Sequence, residues 1–203
     1  MSITAFPFFI NFVNLISKMN WIYKTNKDNS ARFVLGTEGQ KPLICIGVNP
    51  STSAPDSLDN TLKSVEKQAT AKGFDSWIML NLYPQRATNP KNIHSIPDVN
   101  LLKANIKNIK AILKSCEIAT IWAAWGNLID SRSFLSFCLF DIIELSKAHD
   151  TSWINIGKVS KVGHPHHPLY LSGTAEIEPF DIENYKKISE QEELIKSLYR
   201  VIE

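Results

Sequence analysis

Four stretches of this chain gather the side chains best suited to chemistry: "GVNPST" with Asn49, "LNLYPQR" with Asn81 and Arg86, "WGN" with Asn127, and "GHPHHPLYLSG" with His164, His166 and His167. Asparagine offers a donor and an acceptor on one planar group, which suits the edge of a heterocycle. A neutral imidazole stabilises developing negative charge. Arg86 and nearby lysines suit phosphate. Other chemistries lack their residues. There is no G-x-G-x-x-G and no Walker sequence. Ser51 has no G-x-S-x-G elbow around it. The histidines lack a carboxylate or cysteine at recognisable ligand spacing, so no metal and no cofactor are expected.

These motifs need elements to hold them. "RFVLGTEGQKPLICIGV" reads as a short strand, a turn and a buried strand. Asp59 caps a helix predicted to run to about Lys72, with Leu58, Leu62, Val65 and Ala69 on one face and Gly73 as its stop. Trp77 to Tyr83 is a second buried strand. A helix follows from about Asp98 to Ser115, with Leu102, Ile106, Ile109 and Leu113 as its apolar stripe. Ile118 to Trp125 is a third strand, and Asp130 to about Lys147 is a helix apolar nearly all round. "SWINIGKV" is a fourth strand, and an amphipathic helix closes the chain from about Glu183 to Val201. The alternation predicts an α/β three-layer sandwich around a central, mainly parallel sheet of about four strands.

Each predicted strand runs directly into one of the four motifs. Ligand sites in open parallel sheets lie outside the carboxyl ends of the strands. Asn49, Asn81, Asn127 or Gly126, and His164 are therefore expected to line one cleft. Taken singly, each has a plain structural use. Asn49-Pro50 forms an Asx turn, Asn81 satisfies a backbone group, Trp125-Gly126 packs, and Arg86 sits on the surface.

"GVNPS", "IMLNLY", "WAAWGN" and "HPHHPLYLSG", in this order, resemble the signature regions of the uracil-DNA glycosylase superfamily. More narrowly, the chain resembles an uncharacterised bacterial family marked by N-P-S-T and G-H-P-x-H-P-L-Y-L, over roughly Arg32 to Leu171. The resemblance implies a uracil-DNA glycosylase-like fold and hydrolysis of an N-glycosidic bond in DNA or a nucleotide-like substrate. It implies that Asn49 positions the attacking water and that His164 stabilises the departing base. Asn81 then reads the base edge, and Leu169 wedges into the duplex after flipping. Pro50, Ser51, Thr52, Tyr83, Arg86, Gly126, Asn127 and His167 complete the expected substrate pocket. The chain departs from the superfamily in three places. Asn49 replaces the aspartate of its most active branches. Ser51 and Thr52 replace a tyrosine or glycine. "HPHHPL" is one residue longer than H-P-S-P-L, so His167 competes with His164 for the key position.

With 203 residues and 44% hydrophobic content, the chain is expected to form one α/β domain over residues 23–203. Residues 1–22 form an apolar extension, and either Met1 or Met19 serves as the start. The run from Ile3 to Ile16 is short for a membrane span and broken by Pro7, Asn11 and Asn14, so no membrane partner is expected. A net charge of +2 neither demands nor excludes nucleic acid. Cys45, Cys116 and Cys138 show no C-x-x-C spacing and read as buried thiols in a cytoplasmic protein. Two further function classes stand beside the glycosidase. One is a non-catalytic module of the same fold that binds nucleic acid or a nucleotide. The other is a metal-dependent hydrolase built on the histidines.

Overall fold

The computed structural model describes residues 20–191. The expected N-terminal extension therefore falls almost wholly outside the described residues, as does the last part of the closing helix. That helix is present over 182–191.

The elements run β1 (Trp21–Thr25), β2 (Arg32–Thr37), β3 (Pro42–Gly47), α1 (Asn60–Ala71), β4 (Ser76–Asn81), α2 (Val99–Ser115), β5 (Ala119–Ala123), α3 (Phe134–Ser146), β6 (Thr151–Ile156) and β7 (Ile177–Pro179). The α/β class is as expected, but the sheet differs. It has seven strands in the order β1-β2-β4-β3-β5-β6-β7. Pairings β4-β3, β3-β5 and β5-β6 are parallel, whereas β1-β2, β2-β4 and β6-β7 are antiparallel. The sheet is mixed. The strands added outside the parallel set include β1 and β7, which are only partly buried and carry no long apolar run to announce them. β1 also begins at Trp21, within the segment expected to precede the domain.

The parallel strands are apolar on both sides because both faces are covered. In β3, Leu43 and Cys45 face α1, where they meet Leu62, Val65 and Ala69. Ile44 and Ile46 face the other layer, where Ile109, Ile112 and Leu113 of α2 and Leu139 and Ile142 of α3 cover them. Burying side chains such as Leu62 or Val65 contributes roughly 1.5–3 kcal/mol each. Asp59 caps α1 as expected, accepting from the Leu62 N–H at 2.9 Å. Gly73 follows with φ +77°, the left-handed backbone that ends a helix. Asp98 caps α2 in the same way. The helix expected from Asp130 instead begins at Phe134, because Gly126–Ser131 winds as a 3-10 turn first. Among the described residues, no helix is long and apolar enough to cross a membrane.

Candidate functional site

The strand order places a site before any side chain is considered. The chain leaves β3 through α1 on one face of the sheet and returns to β4. It leaves β5 through α3 on the other face and returns to β6. β3 and β5 are neighbours. Their carboxyl ends diverge to opposite faces, which opens a crevice at this switch point. A cleft of about 820 Å³ lies there, between the β3 end, the start of α1, the Gly126–Ser131 turn and the loop from Ser160 to Tyr170.

Of the expected site residues, Asn49, Ser51, Gly126, Asn127, His167 and Leu169 line this cleft. The Asn49 Nδ2 donates to the Ala87 carbonyl at 2.8 Å and to the Pro50 carbonyl at 3.1 Å. Both amide hydrogens are thereby committed, and Oδ1 is left as the acceptor. Asn127 Oδ1 accepts from the Ser160 hydroxyl at 3.0 Å, which ties the turn to the histidine loop. Gly126 has φ +60°, and a Cβ there would stand 3.2 Å from the His167 Cβ. Glycine is thus required both by its own backbone conformation and by the close approach of the His167 Cβ and backbone.

His167, not His164, presents its ring to the cleft. Its Nδ1 accepts from the Leu169 N–H at 3.3 Å. In the neutral ring the proton then sits on Nε2. Burial pushes the His167 pKa below the ordinary histidine value, and the Asp59 carboxylate partly opposes this. The ring is therefore a neutral Nε2–H donor at pH 7. His164 is buried behind the cleft with both ring nitrogens engaged. Nδ1 meets the Tyr185 hydroxyl at 2.7 Å and Nε2 meets Asp130 Oδ2 at 2.9 Å. The expectation that His164 faces the substrate is replaced by a bracing role. Sequence spacing does not reveal which way a ring turns.

Other expected residues also sit outside the lining. Tyr83 is buried, and its hydroxyl contacts His94 at 2.7 Å and accepts from the Asp98 N–H at 2.9 Å, so it anchors the start of α2. Arg86 donates to the Ser51 and Ser53 carbonyls and to the Tyr23 hydroxyl, bracing the turn after β3 from behind. Pro50 is buried and contributes its carbonyl to Asn49, and Thr52 points to solvent.

Asn81 lies one layer beneath the cleft floor. It is 1% exposed, and neither its Oδ1 nor its Nδ2 has a hydrogen-bond partner among the described residues. It pairs in register with Gly47, which lines the cleft. A Cβ on Gly47 would come within 3.3 Å of Asn81 Oδ1 and 2.6 Å of the Met79 methyl group. Met79 fills the space that glycine leaves, directly beside an unpaired carboxamide.

The cleft also holds residues that sequence reasoning missed. Arg32 lines it from β2, and Asp59 lines it from the α1 cap. His166, considered above only as a metal ligand, and Tyr170 of the same motif also line it, Tyr170 with 78% of its surface exposed. Arg32 carried a signal, since a charge inside "ARFVLG" interrupts a strand that is otherwise apolar. Asp59 was legible only as a cap. Among the described residues, no three histidine, cysteine, aspartate or glutamate side chains gather as a metal site.

A protein family's profile matches residues 32–169, more than half of the chain. The chain belongs to that family, described as a protein of unknown function, DUF1643. No curated protein and no solved structure matches it.

Proposed function

We propose that the protein hydrolyses the N-glycosidic bond of a base in DNA or a nucleotide-like substrate, as uracil-DNA glycosylases do. The observation that carries this reading is Asn81. A buried carboxamide with neither donor nor acceptor satisfied is unfavourable by about 1–3 kcal/mol per group. A planar heterocycle in the cleft would satisfy both at once. Met79 is the side chain that must move aside, and its unbranched thioether makes that movement easy.

The other groups take compatible roles. Asn49 cannot remove a proton, but its fixed Oδ1 can orient a water. The His167 Nε2–H can stabilise negative charge on the departing base, the main demand of a reaction through an oxocarbenium-like state. Leu169 is 45% exposed at the cleft mouth, where a wedge is useful. The parallel run β4-β3-β5-β6 with helices on both faces supports the glycosylase-like fold. The three free cysteines fit a cytoplasmic protein.

The test is incubation with oligonucleotides carrying uracil, hypoxanthine, xanthine or alkylated bases, scored for alkali-labile sites. Strand scission at any lesion, with a wider range of bases cleaved by Asn81→Ala, supports the proposal. Asn49 in place of a carboxylate favours a second reading, a module of this fold that binds nucleic acid or nucleotide without cleaving it. Tight binding with no cleavage of any lesion selects that alternative.

A further inference from the structure

We propose that the cleft contains a phosphate subsite centred on Arg32, beside the Ser51–Ser53 turn and the start of α1. The inference deepens the reading above by adding a phosphate group to the substrate class. It rests on that reading for the heterocycle alone.

Arg32 is 2% exposed and yet lines the cleft. The protein gives its guanidinium little to hold. Nη1 donates to the Ser53 carbonyl at 3.1 Å, and Nε has no partner among the described residues. Arg86 reaches the same Ser53 carbonyl at 3.2 Å, and its Nε is likewise unpartnered. Two guanidinium groups thus converge on one neutral carbonyl. Among the described residues neither forms an ion pair. Burial of unpaired charge is strongly unfavourable, and proteins keep it where a ligand supplies the counter-charge.

Charge accounting around the pair favours an anion. The pKa of Arg32 is lowered to about 10, first by burial and then by the Arg86 cation. It stays protonated at pH 7. Asp59 is the opposing carboxylate in the cleft and partly offsets the shift. One of its oxygens is committed to the Leu62 N–H. Two cations against one anion leave positive charge at the wall. Asn60 and Thr61, in the first turn of α1, line the same region, and that turn has no acidic residue of its own. The positive end of the helix dipole adds to the field. Guanidinium geometry matches phosphate through paired N–H donors.

The experiment measures binding by calorimetry at one fixed ionic strength. Ligands are inorganic phosphate, uridine and adenosine, and the 5′-monophosphate of each nucleoside. Wild type, Arg32→Met and Asp59→Asn are compared after circular dichroism confirms folding. Wild type should bind a monophosphate at least about tenfold more tightly than its nucleoside, and inorganic phosphate should compete. Arg32→Met should lose that preference while keeping nucleoside binding. Asp59→Asn retains a capping side chain and removes the opposing charge, so it should bind phosphate several-fold more tightly. Equal affinity for nucleoside and monophosphate in wild type overturns the subsite, as does full preference in Arg32→Met. If Arg32→Met does not fold, unchanged phosphate affinity in Asp59→Asn overturns it instead. Arg32-dependent phosphate binding to which a nucleoside adds nothing supports the subsite and sinks the heterocycle reading alone.

Discussion

The Asn49 amide donates to the Ala87 carbonyl at 2.8 Å, bridging the end of β3 to the loop that follows β4. The same nitrogen holds the Pro50 carbonyl. An asparagine is needed here because a carboxylate has no hydrogen to give and would face two carbonyl oxygens. Asn49→Asp should therefore destabilise the protein at neutral pH by about 1–3 kcal/mol, and it should not raise activity. Urea unfolding and single-turnover cleavage check the two halves. A faster, equally stable Asn49→Asp would show that Asn49 is merely a weakened catalytic aspartate. Asn49→Ala should lose turnover while retaining substrate binding, because the orientation of water matters chiefly in the transition state.

Asn81 gives the opposite sign for stability. Asn81→Leu removes two unsatisfied polar atoms and keeps the heavy-atom count and branching, so it should stabilise the fold by roughly 1 kcal/mol. It should also abolish recognition of any base edge. Asn81→Ala should widen the range of bases accepted, since the pocket no longer penalises the wrong edge. Chemical denaturation with lesion-resolved kinetics separates these effects. A destabilised Asn81→Leu would mean that the carboxamide already has a partner.

The two histidines should part company on substitution. His164 braces Tyr185 and Asp130, and Tyr185 also accepts from Trp125 Nε1 at 3.1 Å. His164→Ala should cost about 1–3 kcal/mol of stability with little loss of rate per folded molecule. His167→Ala should do the reverse and slow the poorest leaving groups most. Melting temperature and cleavage rate, measured on the same samples, decide the assignment.

Much of the scaffold was legible because its signals are local. Asp59 and Asp98 accept from helix N–H groups near their own chain positions, and the apolar runs around Leu43–Ile46 and Trp77–Leu80 need no partner to be recognised as buried. β1 and β7 escaped because edge strands stabilised by pairing carry mixed residues. In the site, the strand-end rule brought Asn49, Gly126 and Asn127 to one cleft. It could not set side-chain direction. Asn81 sits under the floor, Tyr83 and Arg86 brace the walls from behind, and His164 turns away. Arg32 entered from an antiparallel strand, whose contribution to a parallel-sheet site has no motif to mark it.

His167 also predicts a pH dependence. Burial lowers its pKa in the folded state below the ordinary value of about 6.5. The unfolded chain therefore binds the proton more readily than the native one. The sign follows from linkage: between the two pKa values the unfolded state carries more protons, so stability rises with pH there. The contribution is fully present above about pH 6.5. It is lost as pH falls through the lower folded value. His167→Gln, which keeps a polar side chain but does not titrate, should flatten the stability profile across that window. Unfolding midpoints in urea at matched ionic strength, from mildly acidic to neutral pH, measure this. The rate of base release in wild type should fall over the same acidic range if a neutral ring is the competent form, because protonation alters the Nδ1 contact to the Leu169 N–H that aims the donor. A variant whose profile still parallels wild type would place the titrating group elsewhere and remove the neutral imidazole from the mechanism.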